Sequence, residues 1–212
     1  MDNKKPLGFP KNGGEPEHQG PYYCGVGAGK CYGRDIAEKI LEMALYCELN
    51  ITGLNFEVAP GQCEFQICDK GIKLCDDLYL LRYLIVRVSE SFNVGVSFHP
   101  KPVMGDWNGS GCHTNFSTKS MRNNGGYEHI MNGIHKLEKK HKEHIQVYGE
   151  DNDKRLTGKH ETASITDFSY GVANRGASIR IPRFTERDKK GYFEDRRPSS
   201  NMNPYKVTSK IL

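Results

Sequence analysis

Two glutamates flank a Pro-Gly step in the stretch Leu54-Asn55-Phe56-Glu57-Val58-Ala59-Pro60-Gly61-Gln62-Cys63-Glu64-Phe65-Gln66-Ile67. A two-residue turn at Pro60-Gly61 sets Glu57 opposite Glu64 across an antiparallel pair. Facing side chains there lie roughly 5 Å apart, and like charges repel. A divalent cation turns that repulsion into attraction, so the pair reads as a metal clamp. Pro-Gly favours a type II turn, which suits two-residue hairpins poorly; a wider loop also brings the carboxylates together. A metal site needs further ligands, and His113 and Glu194 are the candidates. All four lie in Gly- or Pro-punctuated polar segments where strands end. Carboxylates favour Mg²⁺ or Mn²⁺, and one imidazole tilts the choice toward Mn²⁺. Taken singly, each residue reads better as a solvated glutamate or a hydrogen-bonded histidine. The constellation is stronger than its parts.

A second chemical set is cationic: Arg155, Arg175, Arg180, Arg183, Arg196 and Arg197. Guanidinium forks match carboxylates and phosphates, and metal with arginine neutralises the charge of phosphoryl transfer. Ordinary surface pairing is the alternative for each. Gly25-Val26-Gly27-Ala28-Gly29-Lys30 fails both nucleotide-loop patterns, because Cys24, Cys31 and Lys30 stand at defining positions; it reads as a flexible turn. The run from His135 to His144 interleaves glutamates with its basic groups and reads as a solvated helix face.

The elements that position these groups follow from periodicity. Arg34–Glu48 carries a helical stripe at Ile36, Ile40, Ala44 and Cys47. Asp76–Phe92 reads as a second helix with Asp76 as N-cap. Asn93–Phe98 and Gly111–Ser117 alternate as strands. In the latter, His113, Asn115 and Ser117 share one face, three polar groups that suggest a site. A long helix is expected over Tyr127–Tyr148, and a strand over Ala177–Ile181 that turns Arg180 away from Ile179 and Ile181. The class is α+β, a curved antiparallel sheet backed by helices.

The 212 residues suffice for one domain, or one plus an appendage. Residues 1–19 read as an extended arm and 20–212 as the folded body. A hydrophobic share of 36%, with nine Phe, one Trp and eleven Tyr, builds a core. A net charge of +4 is too mild to imply nucleic acid and suits an anionic small substrate such as a nucleotide. Seven cysteines with no C-x-x-C pair argue against a disulfide framework or zinc ribbon. Neither a signal peptide nor a membrane-spanning run is evident. The expectation is a reduced, cytoplasmic protein with no membrane partner.

With these residues assembled, the chain resembles the C-terminal catalytic domain of eukaryotic-type glutamine synthetase. The matching motifs run in family order from Gln19-Gly20-Pro21-Tyr22-Tyr23-Cys24-Gly25-Val26-Gly27 through Glu64-Phe65-Gln66-Ile67 and Trp107-Asn108-Gly109-Ser110-Gly111-Cys112-His113-Thr114-Asn115-Phe116-Ser117. They continue with Arg155-Leu156-Thr157-Gly158, His160-Glu161-Thr162 and Gly171-Val172-Ala173-Asn174-Arg175, and end with Gly191-Tyr192-Phe193-Glu194-Asp195-Arg196-Arg197-Pro198. The resemblance implies ATP-dependent joining of ammonia to L-glutamate through γ-glutamyl phosphate, with Mg²⁺ or Mn²⁺, in a cytoplasmic homo-oligomer. It implies metal ligands at Glu57, Glu64, His113 and Glu194, and glutamate contacts at Trp107, Asn108, Gly109, Arg155 and Arg196. Nucleotide contacts are implied at Asn115, Ser117, Arg180 and Tyr192, and catalytic roles at Glu161, Arg175 and Arg155. The family also has a Glu-x-Glu strand and a small β domain before the region where this chain begins, so the resemblance reads the chain as truncated. Cys63 stands where the family usually has Trp, Lys159 where an aromatic is usual and Asp106 where Asn is common. A non-catalytic remnant serving in binding or assembly is the alternative from another class, and a ligase for a related substrate a third.

Overall fold

A computed structural model describes residues 5–18 and 20–212. Residues 1–4 and Gln19 of the expected arm lie outside the described residues. The chain divides into two compact units, Met1–Ser97 with Gly105–Trp107, and Phe98–Met104 with Asn108–Leu212.

In the first unit, helix α1 (Arg34–Tyr46) buries Ile36, Ala37, Ile40 and Ala44. Of these, Ile36, Ile40 and Ala44 pack with Leu81, Leu84 and Val88 of α2 (Ile72–Ser91), with Phe65 and Ile67 of the hairpin against them. Helix α2 starts a turn earlier than the sequence suggests. Gly71, at φ 61°, opens it, and Lys73 bridges Asp69 at 2.9 Å and Asp77 across that extra turn, so Asp76 is interior and not the cap. The strand expected at Asn93–Phe98 does not form. Asn93 turns left-handed at φ 54°, and the Val94 N–H returns to Ser89 O at 3.1 Å to close the helix.

Strands β1 (Ile51–Phe56) and β2 (Cys63–Ile67) form the antiparallel hairpin. The turn spans Ala59–Gln62, with Gln62 N donating to Ala59 O at 3.1 Å. Gly61, at φ 72°, takes the left-handed position that a type II turn demands. The loop is therefore wider than two residues. Glu57 N donates to Gln62 O at 2.9 Å, and Asn55 pairs with Glu64. The expectation that Glu57 faces Glu64 directly is corrected by this two-residue shift. An even shift keeps both carboxylates on one face, as diagonal neighbours about 7–8 Å apart.

The second unit is built on a four-stranded open sheet in the order β3 (Thr114–Phe116), β6 (Phe193–Asp195), β5 (Ile179–Ile181), β4 (Tyr170–Val172). Two pairings are antiparallel and β4–β5 is parallel. With helices in both units, the class is α+β. One sheet face carries Phe193, Ile179 and Ile181, packed on Ile130, Ile134 and Leu137 of α4 (Gly126–Lys139). The short α3 (Lys119–Arg122) is capped by the Thr118 hydroxyl and adds Met121 to that core. The single helix expected over Tyr127–Tyr148 breaks at Lys140 (φ −107°) into α4 and α5 (His141–Ile145). The histidines of α5 are not on a solvated face: His141 and His144 are buried. Helices α6 (Arg183–Asp188) and α7 (Pro204–Ile211) complete the unit.

Candidate active site

Strand register decides which side chains meet. Asn115, Glu194, Arg180 and Gly171 stand in one row across β3, β6, β5 and β4. That row faces away from the α4 core, because neighbours alternate faces along each strand. Glu194 is 4% exposed and lies at the centre of a cationic cluster. Its Oε1 receives Arg196 Nη1 at 3.1 Å and lies 3.3 Å from His113 Nδ1. Its Oε2 is buried against the Arg180 guanidinium without a well-formed hydrogen bond. Burial opposes the negative charge, but the His113 hydrogen bond and the charges of His113, Arg196 and Arg180 outweigh it and hold the carboxyl at about 2. His113 is held below the ordinary imidazole value by desolvation and by Arg196 and Arg155, against the pull of Glu194.

Arg196 joins this row to two loops. Its Nε donates to Arg175 O at 2.9 Å, and its Nη2 reaches Glu161 O at 3.5 Å. Arg175 in turn pairs with the Glu161 carboxylate at 3.0 Å. His160 and Glu161 both sit at positive φ, 52° and 59°, a conformation that non-glycine residues hold only when their surroundings impose it. Arg155 is 4% exposed, and its Nη2 donates to the carbonyls of Arg196, Arg197 and Pro198 at 3.0, 2.8 and 3.0 Å. Its guanidinium fixes the backbone that presents Arg196. Gly109 is needed beside it: a Cβ there would stand 2.4 Å from Arg155 Cγ and 2.6 Å from Pro100 O. Gly109→Ala is expected to cost about 1–3 kcal/mol by overpacking, read as a lower midpoint in urea. An unchanged midpoint would show that Arg155 has room to move.

Of the remaining sequence candidates in this unit, Asn115 stands exposed beside Glu194. Ser117 Oγ donates to Gly191 O at 2.6 Å, which ties β3 to the loop before Tyr192, itself 40% exposed. Asn108 also belongs here.

Glu57, Glu64 and Trp107 belong to the first unit. Asn55 Nδ2 donates to Glu57 Oε1 at 2.9 Å and Gln66 Nε2 to Glu64 Oε1 at 2.7 Å. Both carboxylates are steered by amides. The intervening Cys63 thiol is pushed up to about 12 by burial and by these two carboxylates, so it stays protonated. Among the described residues, neither unit alone gathers three His, Cys, Asp or Glu side chains at metal-holding distance. Each unit supplies two of the four candidates. Taken unit by unit, the donors are of the hard type that a divalent cation takes: carboxylates on the hairpin of the first unit, and in the second an imidazole beside a carboxylate with one poorly satisfied oxygen.

A second cluster lies behind the sheet and escaped the sequence reading. Asp195 alternates with Glu194 and so faces the opposite side. It accepts Arg197 Nε at 2.9 Å, Arg197 Nη2 at 2.7 Å and the Tyr148 hydroxyl at 2.7 Å. Because that hydroxyl donates to Asp195, it accepts from His144 Nδ1 at 2.7 Å. Arg197 Nη1 donates to His141 Nδ1 at 2.8 Å, which leaves Nε2–H to donate to Ile165 O at 2.9 Å. Both imidazoles are neutral; burial and the Arg197 charge hold His144 down at about 4. The signal was present in the spacing 130, 134, 137, 141, 144, 148, which continues the apolar stripe of α4.

Comparison with known proteins gives the family and the fold. The family described as "Glutamine synthetase, catalytic domain" matches residues 3–144. "Glutamine synthetase N-1" of Phaseolus vulgaris is 59% identical over 211 residues, 99% of this chain and 59% of the relative. "Glutamine synthetase" of Yarrowia lipolytica is 59% identical over 209 residues, 98% of this chain and 57% of the relative. "Glutamine synthetase cytosolic isozyme 2" of Glycine max is also 59% identical, over 99% of this chain and 59% of the relative. The chain thus spans under three-fifths of the length of these relatives. A cryoEM structure of Plasmodium falciparum glutamine synthetase shares the fold, with a TM-score of 0.75 at 20% identity over 93% of this chain and 40% of that one. The chain belongs to the glutamine synthetase catalytic-domain family.

Proposed function

We propose that this chain carries the ATP-dependent ligation of ammonia to L-glutamate, and that it works as a homo-oligomer in the cytoplasm. The observation that carries the reading is Arg196, which links the Glu194 carboxylate to the backbone of Arg175 and Glu161. A glutamate γ-carboxylate oxygen attacks the γ-phosphorus of ATP and ADP departs. Ammonia then attacks the acyl carbon, phosphate leaves, and a proton passes from nitrogen to the Glu161 carboxylate. The first step joins two anions, so cationic groups must gather where charge develops. Arg175 would face the transferring phosphoryl group and Arg196 the glutamate. Arg155 would act through the carbonyls it holds, near the substrate carboxylates. Trp107, Asn108 and Gly109 would line the glutamate side. Asn115, Ser117, Arg180 and Tyr192 would meet the nucleotide. Glu57, Glu64, His113 and Glu194 would hold Mg²⁺ or Mn²⁺, which supplies charge neutralisation for the triphosphate. The cytosolic isozyme names among the relatives support the compartment.

A γ-glutamyl hydroxamate assay with Mn²⁺ tests the reading; product is expected, and ATP binding without product would favour a non-catalytic protein. Glu64→Gln is expected to weaken Mn²⁺ binding by at least about tenfold in calorimetry. The metal-free melting temperature should move by less than about 2 °C, because the carboxylate lies on the polar hairpin face. Equal melting shifts with and without Mn²⁺ would remove Glu64 from the metal set.

A further inference from the structure

Trp107 is the single tryptophan of the chain and is only 1% exposed, although it lies in a glycine- and proline-punctuated loop. Two residues from far upstream cover it. The Phe9 ring sits 5.2 Å away, tilted at 47°, and the His18 ring stacks at 4.2 Å with planes 26° apart. His18 Nδ1 lies 2.8 Å from Asp106 O, and Nε2 lies 2.7 Å from Glu15 Oε2. A carbonyl oxygen and a carboxylate oxygen only accept. Both contacts are hydrogen bonds only when both ring nitrogens carry hydrogen, which is the imidazolium state. The neutral ring keeps one N–H, so one nitrogen lone pair must then face an oxygen.

We propose that residues 5–18 form a proton-gated strap over Trp107, latched by the His18 imidazolium between Glu15 and the Asp106 carbonyl. The inference rests on the reading of Trp107 as a glutamate-side position for its consequence: the latch fixes the indole at low pH and frees it as pH rises. The charged groups facing His18 are Glu15 and Asp106, both acidic. The Asp106 carbonyl first, then Glu15, raises the ring above the ordinary imidazole value of 6.5. A raised value means the latch is fully present below about 6.5 and is lost as pH climbs through the higher, folded-state value. His18 is a positioning residue, because it acts through Trp107.

The lone indole reports on its own cover. Trp107 emission in the full chain, without substrate, is expected to be quenched by the stacked imidazolium at pH 6. It should rise several-fold and shift to the red in one single-proton transition centred above pH 6.5. Acrylamide quenching should grow through the same transition. His18→Gln should abolish the transition, and Glu15→Gln should move its midpoint toward 6.5. A flat wild-type profile, or an unchanged transition in His18→Gln, overturns the strap. Repeating the titration with L-glutamate separates the two readings. If the strap transition stands but glutamate leaves Trp107 emission unchanged at every pH, the strap survives and the glutamate role of Trp107 falls.

Discussion

Arg196→Ala is expected to lower γ-glutamyl transfer by two to three orders of magnitude, the loss typical of removing one preorganised charge-stabilising donor. The side chain is buried and spends its three nitrogens on three different segments: Glu194, Arg175 and the Glu161 loop. Removing it leaves Glu194 paired with Arg180 and His113, so β6 keeps its register while the two loops lose their common anchor. The fall should therefore lie mainly in kcat. Arg196→Lys is the sharper test. It keeps the positive charge, but a single ammonium cannot span acceptors spread around a planar fork. A loss nearly as large as that of the alanine variant is expected. Lysine activity within about threefold of wild type would mean that charge alone matters and that the bridging geometry has no role.

The two-residue alternation of one short strand explains why part of this site was legible and part was not. In Glu194-Asp195-Arg196-Arg197, Glu194 and Arg196 point to the site, while Asp195 and Arg197 point behind it. The charges were visible in the sequence, but sequence alone does not say which acid pairs with which base. Register does, and it depends on long-range pairing of β6 with β3 and β5. The polar face of His113, Asn115 and Ser117 was legible because alternation is local. Its partition was not: Asn115 stands beside Glu194, whereas Ser117 Oγ donates to Gly191 O. The hairpin was found and its register misplaced by two residues, because Pro60-Gly61 enforces a type II turn. The helical period of α1 gave its buried residues Ile36, Ile40 and Ala44 directly; in α2 Leu81 and Val88 are buried as the period suggests, while Leu84 is buried in addition and Phe92 is exposed. His141 and His144 were misjudged because charged neighbours masked a periodicity that aliphatic residues would have made plain.

The network behind the sheet carries the largest stability prediction. Asp195 is 0% exposed and Arg197 is 1% exposed, so neither charge has water to fall back on. Each is satisfied by the other, by Tyr148 and by His141. Such a pair adds little net stability over well-packed apolar groups, yet removing one member strands the other. Asp195→Ala is therefore expected to cost about 3–5 kcal/mol, which for a chain of this size lowers the melting temperature by roughly 10 °C. Tyr148→Phe removes one hydrogen bond to the same carboxylate and the acceptor of the His144 Nδ1–H, and keeps the ring beneath the Arg197 guanidinium, 5.1 Å from its centroid. Its expected cost is smaller, about 1.5–3 kcal/mol, because the charged pair stays whole and only the hydrogen bonds of the neutral hydroxyl are lost. The order of the two variants is the test: a buried ion pair demands that Asp195→Ala be the worse by at least about 1 kcal/mol in urea titrations. Equal losses would mean that the aromatic hydroxyl, and not the Asp195–Arg197 pair, anchors β6 to α5 and thereby sets the position of Glu194 on the other face.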